Sequence, residues 1–356
     1  MSKGDGGPKG REGADSNTSA RRRGGAAPKG ERERKTPLRF AALDLGTNNC
    51  RLLIAAPSRD NFRIVDSFSR IVRLGEDLSR TGVLSDGAMD RTMDAIKVCA
   101  EKVARRGVTH IRCIATQACR GAENGKEFLS RVRRDTGLKF DIITPEEEAR
   151  LSVSGCAELV DPAAPAGLIF DIGGGSTELS WVKRMEKTGA LDVVAWTSFS
   201  FGVVSVAEKW GGAEISLETF DEIVREIRSG IAAFGDPAMV KPIFERGEAH
   251  LLGTSGTVTS IAGVHLKLPR YKRAAVDGLW LSLEEARAAT EKLRAQSYEE
   301  RCAEPCIGKE RADLVVAGCA ILEALVQEWP TSRIRVADRG LREGILMDLM
   351  AQARGE

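Results

Sequence analysis

No run of 18 apolar residues occurs in the chain, so no membrane-spanning helix is expected. No apolar segment follows the arginines near the N-terminus, so a secretory signal is not expected. Histidine is nearly absent. The three present, His110, His250 and His265, are too scattered for a His-based triad or a His-rich zinc centre. None of the eight cysteines (50, 99, 113, 119, 156, 302, 306 and 319) forms a Cys-x-x-Cys pair. Cys302 and Cys306 stand four apart without a second ligand pair, so a metal is not expected there. Most of the others lie in apolar runs and read as small core residues. Reduced thiols and a cytoplasmic location are the expectation. A strong charge of either sign is also lacking, since the net charge is +2.

That charge is unevenly placed. Residues 1–36 hold ten Lys/Arg and five Asp/Glu, a local +5 that leaves −3 on residues 37–356. They also hold eight Gly and almost no large apolar side chains. Such a segment cannot bury enough surface to offset ordering, so 1–36 reads as a disordered basic tail able to touch polyanions. The remainder is ordinary globular composition, with 42% hydrophobic and 29% charged residues over the whole chain. Its length suits two domains with separate cores, drawn at 37–151 and 152–356. The C-terminal helix is expected to pack back on the first.

The most informative feature is a repeat. Residues 40–54 and 168–182 each read as an apolar strand, then Asp-Leu-Gly or Asp-Ile-Gly, then small residues, then a second apolar strand. The first turn is Asp44-Leu45-Gly46-Thr47-Asn48-Asn49. The second is Asp171-Ile172-Gly173-Gly174-Gly175-Ser176-Thr177-Glu178. Glycine lets such a turn aim several N–H groups at one point, which suits a phosphate oxyanion. The Asp at the lip can hold a cation or orient water. Asp44 and Asp171 stand 127 residues apart, room for one domain between them. Strands and helices alternate in both blocks, which gives an α/β fold. Strands are expected near 110–116, 139–143, 193–200, 250–252 and 334–336. Helices are expected at 85–105, 122–136, 216–230, 282–295, 309–328 and 341–353, and one starts at Thr144-Pro145 with Glu146, Glu147 and Glu148 in its first turn. A third loop, Gly253-Thr254-Ser255-Gly256-Thr257, follows a strand and opens a helix, a second favourable setting for an anion.

The paired loops resemble those of the actin, sugar-kinase and heat-shock-chaperone ATPase superfold. That resemblance implies two related actin-like (ribonuclease-H-like) domains around a cleft. Several stretches together narrow it. They are residues 42–49; Ala115-Thr116-Gln117-Ala118-Cys119-Arg120 with Asn124 and Phe128; 143–151; 170–178; 253–257; and 337–344, which ends Gly340-Leu341-Arg342-Glu343-Gly344. In this order they resemble the exopolyphosphatase / guanosine pentaphosphate phosphatase family from about residue 39 to 350.

The resemblance implies a phosphohydrolase acting on terminal phosphate. The substrate would be inorganic polyphosphate or, as the alternative, guanosine pentaphosphate. It implies Glu148 as general base, Asp171 with Glu178 at an Mg2+ site, and Arg120 facing phosphate. A monovalent cation is a further candidate. Asp44, Gly46, Thr47 and Asn48, then Gly173, Gly174, Gly175, Ser176 and Thr177, then Ser255, Gly256 and Thr257 would cradle the phosphates. A homodimer is also implied. Thr47 replaces a common Ser, and Thr254 stands where Ala is frequent. The helical extension of some relatives is missing from these 356 residues, so its contribution to holding long polymers is not expected here. Arg270-Tyr271-Lys272-Arg273 is a candidate guide for a polyanion. The reading from another class is an actin-like ATPase scaffold, which would need no general base at Glu148.

Overall fold

The computed structural model describes residues 37–59 and 61–355. The tail expected at 1–36 lies outside them. From Pro37 onward the chain forms one compact unit. The described strands are β1 (Phe40–Leu45), β2 (Asn49–Ser58), β3 (Asn61–Ile71), β4 (His110–Ala115) and β5 (Phe140–Ile142) in a first sheet. A second sheet contains β6 (Ala166–Ile172), β7 (Thr177–Arg184), β8 (Leu191–Phe199), β9 (Ala249–Thr254), β10 (Trp280–Ser282) and β11 (Arg333–Val336).

The repeat extends from sequence to topology. The first sheet runs β3-β2-β1-β4-β5, and the second runs β8-β7-β6-β9-β11-β10. Counted from its own first strand, each reads 3-2-1-4-5, and the second adds β10 at its edge. In each, the first three strands are an antiparallel meander and the next two join in parallel. Even the irregularities match: one register shift falls at Ile54/Ala55 and the other at Trp181/Val182. The expected actin-like α/β class is thus carried by a duplicated sheet.

Each sheet has its own core. Leu43, Leu52, Ile96 and Phe128 belong to the first, and Phe170, Trp181, Ile223 and Ile321 to the second. Two helices join them. Leu151 of the Pro145–Cys156 helix packs with Phe40, Ile114, Ile345 and Leu346, so the C-terminal Leu341–Arg354 helix lies on the first sheet. Val153 and Cys156 of the same helix pack with Ile169 and Leu252 of the second sheet. The two helices cross at glycines. A Cβ on Gly155 would lie 1.9 Å from the Gly340 carbonyl oxygen, and one on Gly344 would lie 2.0 Å from that of Leu151. Only a residue without a side chain fits either place.

Most elements fall where the hydrophobic periodicity places them. The long helix expected at 309–328 begins only at Val315. Its first six residues are turns because their groups are engaged elsewhere. Buried Arg301 donates to the Ala312 carbonyl at 3.0 Å, and Asp313 pairs with Arg73 at 2.8 Å. The Val203–Trp210 helix and the short strand β10 are additions to the sequence reading. Among the described residues no helix is long and apolar enough to cross a membrane.

Candidate active site

The two phosphate loops close in the same way. Gly46 N–H donates to the Asn49 carbonyl at 2.9 Å, and Gly173 N–H donates to the Ser176 carbonyl at 2.9 Å. Their other carbonyls are taken from behind. Thr47 accepts from Gly75 at 2.9 Å and Asn48 from Val72 at 2.9 Å. Gly173 accepts from Val203 at 2.9 Å and Gly174 from Val204 at 2.8 Å. With the carbonyls held outward, the N–H groups of Thr47, Asn48, Gly174 and Gly175 are left without a backbone acceptor among the described residues. The loops press on each other. A Cβ on Gly174 would lie 3.0 Å from Thr47 Cβ and 3.2 Å from Asn48 Cβ. Unpaired N–H groups turned to one space form a nest for an anion.

These loops wall a cleft. It gathers Asp44, Gly46, Thr47, Asn48, Glu148, Asp171, Gly173, Gly174, Gly175, Ser176 and Ser255. The third loop enters with the N-terminus of the Ser255–His265 helix, whose dipole favours negative charge. Ser255 itself has φ 76°, in the left-handed region that a residue with a side chain seldom adopts. Thr254 is fixed by its hydroxyl, which donates to the Arg339 carbonyl at 2.8 Å.

Five sequence candidates are not on that wall. Thr177 is fully buried, and its hydroxyl donates to the Phe201 carbonyl at 2.8 Å. Gly256 and Thr257 line a neighbouring side cavity with Asn48 and Asn49. Glu178 lies behind the second loop, where the Ser198 hydroxyl donates to it at 2.8 Å. Arg120 is also off the wall. Its guanidinium donates to the Ile143 carbonyl at 2.7 Å, to Gln117 at 3.0 and 3.2 Å, and to Glu148 at 3.3 Å. The structure therefore places Arg120 on the carboxylate of Glu148, where the resemblance implied a phosphate.

The three glutamates of the Pro145–Cys156 helix are sorted by position. Thr144 caps the helix by accepting from Glu147 N–H at 3.2 Å. Glu146 faces solvent, and Glu147 pairs with Arg112. Glu148 is buried and faces the cleft. Burial pushes its carboxyl well above the ordinary range, and the nearby charge of Glu178 adds to this while Arg120 opposes it. Burial likewise raises Asp44 to about 6, against the pull of Arg51 and Arg342. Asp171 is raised by burial too, offset by Arg51 and by the Ser255 hydroxyl. Glu178 reaches about 7 through burial and the charge of Asp171.

Carboxylates raised in this way lack sufficient positive charge, and a divalent cation would supply it. Among the described residues no three His, Cys, Asp or Glu side chains are grouped to hold an ion alone. Mg2+ binds through one or two carboxylates with water and substrate phosphate, so the donors present fit it.

Sequence reasoning missed Arg51, Gln117, Asn49 and Arg342 on the cleft wall. Arg51 had a signal, since it stands opposite Asp44 in the β1–β2 register. Arg342 lay within a motif already singled out.

Residues 53–353 match the Ppx/GppA phosphatase family. A guanosine-5'-triphosphate,3'-diphosphate pyrophosphatase of Photobacterium profundum is 28% identical over 91% of the chain, which spans 61% of that relative's length. Among solved structures, an exopolyphosphatase-like protein is 29% identical with a TM-score of 0.78, over 87% of this chain and 97% of that one. An Aquifex aeolicus PPX-GPPA enzyme is 26% identical with a TM-score of 0.70, over 88% of this chain and 100% of that one.

Proposed function

The chain belongs to the Ppx/GppA phosphatase family, and on that premise we propose that its cleft hydrolyses terminal phosphoanhydride bonds of inorganic polyphosphate. The observation that carries the reading is the meeting of Glu148 with two N–H nests in one cleft. An anion-binding nest alone would serve an ATPase scaffold equally well. A desolvated carboxylate facing it supplies a base for water.

The terminal phosphoryl group enters between the loops of Gly46–Asn48 and Gly173–Ser176. Their N–H groups and the Ser255–His265 helix N-terminus neutralise its oxygens. Glu148, made more basic by burial, orients a water and takes its proton as the oxygen attacks phosphorus. Arg120 holds the carboxylate in position through contacts at 3.3 Å. Mg2+ held by Asp171 and Asp44, with Glu178 adding charge from behind, would supply further neutralisation of phosphate oxygens. Catalysis of this kind is mainly positioning and charge stabilisation.

Guanosine pentaphosphate is the second reading, and a side cavity favours it. Ile172, Val203, Leu314 and Val315 give that cavity apolar walls beside the first phosphate loop. Among the described residues, the buried side-chain oxygens of Asn48 and Asn49 have no hydrogen-bond partner. Apolar walls suit a purine ring more than a bare phosphate chain. Phosphate release from each substrate, with Mg2+, tests the reading. Release from either supports a phosphohydrolase, the faster substrate settles the preference, and release from neither with turnover of ATP would favour the scaffold.

A further inference from the structure

Each phosphate loop is held from behind by one segment. Residues 72–75 hold the first. The Val72 and Arg73 N–H groups donate to the Asn48 carbonyl at 2.9 and 3.1 Å, and Gly75 N–H donates to that of Thr47 at 2.9 Å. The start of the Val203–Trp210 helix holds the second loop, through the N–H groups of Val203 and Val204. Val72 and Leu74 are buried in the first core, and Val204, Val206 and Ala207 in the second. Each loop therefore follows its own core unless the two backing segments are joined.

They are joined at two places. Glu208 is exposed on the Val203–Trp210 helix and accepts from Asp77 N–H at 2.8 Å and from the Ser79 hydroxyl at 3.0 Å. Arg73 reaches in the other direction. Its guanidinium forks onto the two oxygens of Asp313 at 2.8 and 2.9 Å and donates to the Glu310 carbonyl at 3.2 Å. Asp313 stands just before the Val315–Glu328 helix, where a Cβ on Gly318 would lie 2.7 Å from Thr257 and 3.2 Å from Val203. That helix is thus packed against both the third loop and the helix behind the second.

The backbone at these joins is strained. Six non-glycine residues among those described have positive φ, and two of them are Arg73 at 49° and Asp77 at 58°. A left-handed residue with a side chain is costly and persists where its surroundings hold it there. These two are the residues through which the segment behind the first loop is fastened, by the Arg73 side chain and the Asp77 N–H.

We propose that Glu208 and Asp313 are positioning residues that set the spacing of the two N–H nests, by bonding the segment behind the first loop to the helices behind the second and third. Neither residue lines the cleft. Their effect on rate rests on the hydrolysis reading; their effect on phosphate binding does not. A phosphate gripped by donors from both loops loses those of one loop when the spacing relaxes. A displacement of about 1 Å at reacting groups can cost roughly 100-fold in rate.

The test uses the full chain carrying Glu208→Ala, Asp313→Ala or both, against Glu208→Gln, whose amide still accepts from Asp77 N–H and can donate to Ser79. Phosphate release from inorganic tripolyphosphate with Mg2+ gives kcat and KM, well below the melting temperature of each variant. Calorimetric titration of tripolyphosphate against the same changes in a Glu148→Gln background gives affinity without turnover. The paired Ala change should weaken affinity roughly 10-fold or more, as loss of a hydrogen bond to a charged group does. It should lower kcat roughly 10- to 100-fold. Glu208→Gln should stay within about threefold of the native chain in both, because it keeps the hydrogen bonds. Glu208→Ala alone alters only surface contacts, so it keeps the test open if the paired variant does not fold, and it should lower kcat in the same direction. Native affinity and kcat in the Ala variants, with or without a lower melting temperature, would overturn the proposal. So would Glu208→Gln as damaged as Glu208→Ala, or no tripolyphosphate binding by Glu148→Gln itself. If the native chain releases no phosphate, the hydrolysis reading falls and the titration alone decides the positioning role. If it releases phosphate while the paired change leaves kcat and affinity untouched, the positioning role falls and hydrolysis stands.

Discussion

A carboxylate acquires a chemical role from its neighbours more than from its identity. Glu146, Glu147 and Glu148 are adjacent, yet solvent takes the first, Arg112 the second and the cleft the third. The motif resemblance made Glu148 legible in the sequence, and helix geometry explains why only one of three could turn inward. Replacing it with Gln should leave phosphate binding intact and slow hydrolysis by roughly 10²–10⁴, as loss of a general base does. Asp171→Asn should raise the Mg2+ concentration needed for half-maximal phosphate release, because it removes a hard oxygen ligand from the cleft wall. A metal titration of phosphate release checks this, and an unchanged midpoint places the ion elsewhere. Arg51 and Arg342 were not legible. A charged residue on a strand or in a helix first turn ordinarily faces solvent, and only the sheet register and the closing helix bring these two to one place. Arg120 was found by its motif, but its contact with Glu148 was not read from the sequence. Its contact with Glu148 spans 28 residues and depends on how the Gln117–Gly121 helix meets the start of the Pro145–Cys156 helix.

Elements carry the next level of order. The strand–turn–strand repeat could be read from sequence because each turn needs glycine beside an Asp-led strand end. The matching sheet order follows from that duplication. The turns at 309–314 could not be read, since the side chain that takes the Ala312 carbonyl belongs to Arg301, on another helix. The crossing of the Pro145–Cys156 and Leu341–Arg354 helices was equally hidden. It sets Glu148 and Arg342, on opposite helices, around the same cleft. Gly155→Ala or Gly344→Ala would force a methyl against a carbonyl oxygen at 1.9 or 2.0 Å. Overpacking there should cost at least roughly 2 kcal/mol. Thermal unfolding should therefore shift down for either variant, with hydrolysis falling further than stability alone explains because the helices part at the cleft. A variant as stable and active as the native chain would show that the crossing is not rigid.

Across the whole molecule, the cleft gathers carboxylates whose like charge a bound cation would relieve. Burial pushes Asp44 up to about 6 and Glu178 up to about 7, against ordinary values of 3.8 and 4.5. The folded chain thus binds more protons than the unfolded chain between the ordinary carboxylate range and about pH 7. The stability these groups contribute is complete below their ordinary pKa values and is lost as pH rises through about 6 and then about 7. Asp66, lowered to about 2 by Lys102 and Arg106, acts in the opposite sense but only in acid well below that window. In chelated, phosphate-free buffer the melting temperature should fall from about pH 4 to about pH 7, and Glu178→Gln should flatten the upper part of the slope. A melting temperature that rises over that interval would contradict the clustered charge. The central claim is that this charge is arranged to remove one terminal phosphate at a time. It is tested most directly by following polyphosphate of defined length with Mg2+ by 31P NMR. The account predicts orthophosphate as the first product, with loss of end-group signal only as chains are consumed, and no product from Glu148→Gln. Early appearance of new chain ends without orthophosphate, or equal turnover by Glu148→Gln, would contradict it.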